Sequence, residues 1–148
     1  MTFDDLHKDT DCHCINGINE DTENVYIRRI KKPTVKVKDF NSQWENNKRP
    51  TAHYTNNCDK TCGLKGVSVN QWNEKNQEAV IKKYLDYFFI SPKSTDGGYI
   101  FRFKKDAGLI KHAPGLDKSH YNFYKCDTFS LAHLEHIETI TLKDFLIK

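Results

Sequence analysis

At 148 residues, 37% of them apolar and with no run near the roughly 18 consecutive apolar residues of a membrane span, the chain is sized for one domain with its own core and excludes a bilayer-spanning helix. The net charge of +3 conceals a segregation: residues 1–24 hold seven acids against Lys8, and residues 25–50 hold eight bases against Asp39 and Glu45. The acidic opening lacks the pattern of a secretion signal, and five cysteines is an odd count that fits reduced thiols or a metal site, so the expected location is the cytoplasm.

In chain order, residues 1–24 lack apolar periodicity and read as a mobile or metal-tethered segment of a single domain spanning 1–148. Val25–Ile30 and Val35–Lys38 mix apolar with basic residues, the second in strict alternation, and Lys31-Lys32-Pro33-Thr34 supplies a turn between them, which predicts a hairpin with lysines on its open face. Ser42-Gln43-Trp44-Glu45 has capping-box spacing, Phe40 and Trp44 are placed to pack together, and Pro50 limits any helix there to a short one.

Ser68-Val69-Asn70-Gln71 repeats that spacing, with Val67 placed to staple onto Trp72, and predicts a helix from about Val69 to about Phe89. Its apolar face, including Trp72, Val80, Tyr84 and Phe88, is expected in the core. Asp96-Gly97-Gly98 breaks the chain, and Tyr99–Lys104 and Tyr121–Lys125 read as aromatic strands joined by a connection containing Ala113-Pro114-Gly115. Thr128–Leu131 can open a short helix, and the β-branched stretch from Ile137 to Leu142 can form a strand. The expected class is α+β: a mainly antiparallel sheet with one long amphipathic helix packed on it.

Cys12 and Cys14, with Cys58 and Cys62, form two close pairs able to supply four thiolates to one tetrahedral zinc ion, and His53 is an alternate ligand. A filled shell of this kind is structural. The one-residue spacing of the first pair and the 43 residues between the pairs depart from common zinc motifs, so reduced, part-buried thiols, or a disulfide from the first pair to the second, remain open readings. Cys126, at the end of an aromatic strand, reads as a core residue.

His112 and His120 flank a loop with Arg102, Lys104, Lys105, Lys111 and Lys118 around them. Metal-independent cleavage of RNA needs a base for the 2′-hydroxyl, an acid for the leaving oxygen and cations for the phosphate, so His120 with His112 as counterpart and Lys111 or Arg102 on the phosphate make a sufficient set. Ser119–Phe123 is also similar to a catalytic strand of some small microbial and toxin ribonucleases, a likeness confined to those residues and without a glutamate partner. Histidines beside loops are more often solvated.

Phosphate-cradling glycine loops and the common hydrolase and metalloprotease motifs are missing. The sequence thus points first to a small intracellular binding or regulatory protein, zinc-stabilised in the metal reading. Its basic surface of Arg28, Arg29, Lys31, Lys32, Lys36 and Lys38 would meet an acidic protein or a nucleic acid, or be ordinary solvated surface. A toxin-like ribonuclease is the alternative, and oligomeric state is not readable.

Overall fold

The computed structural model describes residues 17–46, 58–115 and 117–146. They form a seven-stranded sheet: β1 (Ile18–Asn19), β2 (Tyr26–Ile30), β3 (Val67–Gln71), β4 (Gly97–Phe103), β5 (Gly108–His112), β6 (His120–Lys125) and β7 (Leu134–Thr141). Their order across the sheet is β1-β5-β6-β3-β2-β4-β7, and neighbours run antiparallel throughout. Three helices accompany them: α1 (Gln43–Asn46), α2 (Cys58–Lys65) and α3 (Gln77–Tyr87). The α+β expectation holds with its mainly antiparallel sheet.

Period-2 alternation divides the core between the two faces of the sheet. On β2, Tyr26 and Ile30 join a cluster with Phe40, Val67, Val69, Phe101, Phe103 and Phe123, while Ile27 joins Val80, Tyr84, Ile90, Ile100 and Leu142 on the other face. The first face is closed by loop residues, Phe40 among them, whose ring meets Phe101 edge to face at 5.5 Å between centroids. The second is covered over part of its width by α3, and a cleft lies over the uncovered part.

The helix expected over Val69–Phe89 is corrected to the 11 residues of α3, because Val67–Gln71 is the central strand β3. A capping box satisfies a few amides at one turn, whereas the alternating Val67 and Val69 are both buried in a strand that pairs with β6 from Val67 to Asn70 and with β2 at Asn70 and Gln71. The helix is announced later, where the Asn73 side chain accepts from the amides of Lys75 and Asn76 at 2.9 and 3.1 Å. Of its expected core face Val80 and Tyr84 are buried, while Trp72 and Phe88 are only part-buried.

The expected hairpin is also not formed. Val25–Ile30 does yield β2, but Val37–Phe40 is a 3-10 turn in which Asp39 Oδ2 accepts from the Lys36 amide at 2.7 Å, so Lys36 and Lys38 project from a loop. The capping box at Ser42 is present: Glu45 Oε1 accepts from the Ser42 amide at 2.9 Å, and Ser42 Oγ accepts from the Glu45 amide at 3.2 Å. β5 lies inside what read as a bare connection, and of Ile137–Leu142 the residues to Thr141 lie in β7 while Leu142 begins a 3-10 turn.

Candidate functional site

The site originates in an incomplete ladder. β2 pairs with β4 over five residues but with β3 only at Tyr26 opposite Gln71 and Ile27 opposite Asn70. Past that point the Arg28 side chain bridges the two strands, its Nε donating to Asp39 O at 2.6 Å and its Nη1 to Ser68 O at 2.5 Å. A cleft of about 770 Å³ opens here, lined by Arg28, Arg29, Ser68 and Asn70, by Lys83, Tyr84, Tyr87 and Phe88 from α3 and the residue after it, and by His120 and Asn122.

Its charge is one-sided. Arg28, Arg29 and Lys83 line it, and among the described residues no aspartate or glutamate does. Lys83 is held by Asp117, and Arg29 lies 3.4 Å from Asp96 with its guanidinium 3.8 Å over the Phe88 ring. The buried Arg29 Nε has no hydrogen bond among the described residues. Arg28 makes no ion pair among them either, and its two bonds go to main-chain carbonyls. Burial and the neighbouring Arg29 charge push the Arg28 guanidinium down to about 10, with Tyr84 and Asp39 pulling the other way.

Ser68, Asn70, His120 and Asn122 share one face because Ser68 stands opposite Asn122 and Asn70 opposite His120 in the β3–β6 ladder. Ser68 and His120 are therefore diagonal neighbours, and their side chains meet, Ser68 Oγ lying 2.6 Å from His120 Nε2. His120 Nδ1 lies 2.8 Å from Ala113 O. A carbonyl oxygen only accepts, so Nδ1 carries a proton; in the neutral ring Nε2 then accepts from the Ser68 hydroxyl. Ser68 is exposed on the cleft side.

A polar network fixes the loop that leads into His120. Asp117 accepts from Lys83 Nζ, from Asn70 Nδ2 at 2.7 Å, and from Ser119 Oγ and N at 2.7 and 3.1 Å. Burial works to raise the Asp117 carboxyl, but hydrogen bonds from Lys83, Ser119 and Asn70 and the Lys83 charge hold it well below the usual carboxylate range. Asn70 Oδ1 in turn accepts from Tyr84 Oη at 2.8 Å, and desolvation raises that phenol, keeping it a donor. The floor of the cleft is thus cross-linked to α3, and the His120 amide donates to Asp117 O at 3.1 Å.

Of the candidate residues read from the sequence, Arg28, Arg29 and His120 come together in this cleft. His112 does not join them: it stacks on Tyr121 at 4.6 Å between centroids, its Nε2 lies 2.7 Å from Lys118 O, and Tyr121 projects to the face opposite that of His120. Arg102 is engaged with Glu135 at 3.0 Å and with Glu23 O at 3.1 Å, and neither it nor Lys111 on β5 lines the cleft. Lys31, Lys32, Lys36 and Lys38 are exposed outside it.

Cys12, Cys14 and His53 lie outside the described residues, as does the side chain of Cys58. Cys62 is buried and disulfide-bonded, which departs from the expectation of reduced thiols. A sulfur in that state offers no thiolate to a metal. Among the described residues no group of three or more His, Cys, Asp or Glu side chains could hold a metal ion.

Ser68 and Lys83 are the residues that sequence reasoning missed. Ser68 read as a helix cap, yet the alternation Val67-Ser68-Val69-Asn70 was the available signal that it shares a face with Asn70. Compared with known proteins, the chain matches no protein-family profile, no curated protein and no solved structure. What it presents is an α+β sheet protein with a cationic cleft between two parting strands. Among the described residues no helix is long and apolar enough to cross a membrane.

Proposed function

We propose that the cleft binds a phosphate ester carrying an aromatic base, supplied either as a nucleotide or as a single-stranded nucleic acid. The observation that carries this reading is Arg28: a guanidinium drawn into a cleft lined by no carboxylate among the described residues, whose hydrogen bonds there go to two main-chain carbonyls and which lies 5.8 Å over the Phe40 ring. A part-buried cation with no ion pair among the described residues is under-compensated, and an anion that enters the cleft meets donors already in place. Guanidinium groups match phosphate oxygens in geometry as well as charge.

Size and shape support a compact ligand. Small-molecule sites commonly enclose about 300 to 1,000 Å³, and this cleft falls within that range. Tyr87, 69% exposed, stands beside Phe88 at the rim and offers a face on which a base can stack. An acidic protein partner would instead use the outer lysines, which stand on an exposed loop and not in the recess.

Fluorescence anisotropy with a labelled single-stranded oligoribonucleotide tests the reading. Affinity should fall steeply as salt rises, by counter-ion release, and Arg28→Gln should weaken binding about 10-fold or more through one lost charge-assisted bond. A mononucleotide should compete. Binding that ignores both salt and Arg28→Gln, or that is abolished only by reversing Lys36 and Lys38, would remove the cleft from the account.

A further inference from the structure

The same cleft holds an exposed hydroxyl in contact with an oriented base, and binding alone gives that pair no task. We propose that Ser68 is a nucleophile, activated by His120, that attacks the phosphorus of an ester bound in the cleft. The substrate class rests on the phosphate reading above; the chemistry rests on the alignment of Ser68 Oγ, the His120 ring and Ala113 O, at 2.6 and 2.8 Å.

A serine hydroxyl is a weak nucleophile until a base stands within about 2.6 to 3.2 Å and is itself oriented by a third group. Here all three parts are present on rigid elements: Ser68 on the central strand β3, His120 at the start of β6 and Ala113 just after β5. Ala113 O fixes which ring nitrogen is bare, and the Asp117 network fixes the approach to His120. Ser68 is also the residue whose carbonyl Arg28 holds, so nucleophile and cation are joined through one residue.

The reaction balances with water as the only co-reactant. As Ser68 Oγ bonds to phosphorus, its proton passes to His120 Nε2; the bond from phosphorus to the leaving alcohol, in line on the far side, breaks, and that oxygen takes the proton from Nε2 through intervening water. A phosphoryl ester on Ser68 and a neutral imidazole remain. A water on the side opposite Ser68 then bonds to phosphorus, its proton reaching Nε2 through other waters; the Ser68 ester bond breaks, and Nε2 returns the proton to Oγ. Charge on the non-bridging oxygens falls in the field of Arg28 and Arg29, where fixed cations act most strongly on a phosphoryl transition state. A carboxylic ester carries no such charge in its ground state and makes less use of this lining.

The test is covalent labelling of the full chain with a fluorophosphonate probe in EDTA, read by intact mass and peptide mapping. One adduct on Ser68 is expected, with none in Ser68→Ala. In His120→Gln, whose amide can still bond to Ser68 Oγ but cannot take its proton, labelling should slow by about 100-fold or more. Thermal melts establish that each variant is folded, and His120→Asn replaces any that is not. Scattered labelling of other hydroxyls, no adduct on Ser68, or an unchanged rate in His120→Gln would overturn the proposal and leave the bond as a tie between strands. Oligonucleotide binding that persists with Ser68 unlabelled removes this inference alone; loss of both removes the cleft reading as well.

Discussion

Replacing Asp117 with Asn tests whether the loop leading into His120 is held as the structure shows. The carboxylate receives four hydrogen bonds, on one oxygen from Lys83 and Asn70 and on the other from Ser119. An amide presents an NH2 group in place of one acceptor oxygen, so whichever way it turns, a donor that cannot turn away faces it: the Lys83 and Asn70 pair, or the Ser119 amide. The Asn70 amide keeps Ser119 Oγ at 2.9 Å, and the Asp117 side chain, 29% exposed, lets water replace part of the rest. The expected loss is about 2 kcal/mol, after discounting the Lys83 charge for solvent screening. Urea denaturation near neutral pH measures it.

The pH dependence has a definite sign. Because the folded-state carboxyl is the stronger acid, the unfolded chain takes up the proton first on acidification. Its stabilisation is complete above the ordinary aspartate value of about 3.9 and drains away as pH falls toward the depressed folded value. Asp117→Asn should therefore lose less stability than the wild type between about pH 5 and pH 2. A difference under about 0.5 kcal/mol at neutral pH, with an unchanged acid slope, would refute the network as the anchor of this loop.

Further expectations concern packing and the cysteines. An added Cβ at Gly108, where φ is +150°, would lie 2.2 Å from Tyr124 O, so Gly108→Ala should cost about 2 kcal/mol or more by thermal melt; a neutral change would show that the β5–β6 pairing has room to give. Phe88→Ala should cost about 2 kcal/mol, less than a fully buried Phe, because the ring is part-buried but carries the Arg29 guanidinium; a loss near 4 kcal/mol would place it in the main core after all. Reductant should lower the melting temperature by removing the Cys62 disulfide, and elemental zinc should stay below about 0.2 equivalents until the protein is reduced. Stoichiometric zinc in unreduced protein would favour the four-cysteine site instead.

The elements legible in the sequence were those that local pattern alone decides. Tyr99–Lys104 and Tyr121–Lys125 are largely alternating and aromatic, and strands cover them as far as Phe103 and Lys125, though Gly97 and Gly98, which read as a break, open the first of these strands. The Ser42–Glu45 box was legible because both of its bonds lie within one turn. At Ser68 the same motif gave the wrong element, since the strand there depends on Tyr121 and Phe123, more than fifty residues away, and on β2. His120 was found by residue type. Its partner was not, because a diagonal contact between strands exists only once register is set. His112 and His120, eight positions apart, looked like a pair until sheet alternation separated their faces.

The most direct measurement is mapping of backbone amide shifts by NMR as a mononucleotide is titrated into the labelled protein. The account predicts saturable changes centred on Arg28, Arg29, Ser68, Lys83 and His120, diminished at equal concentration in Arg28→Gln. Changes confined to residues 31–38, or scattered without saturation while the cleft residues stay still, would contradict it.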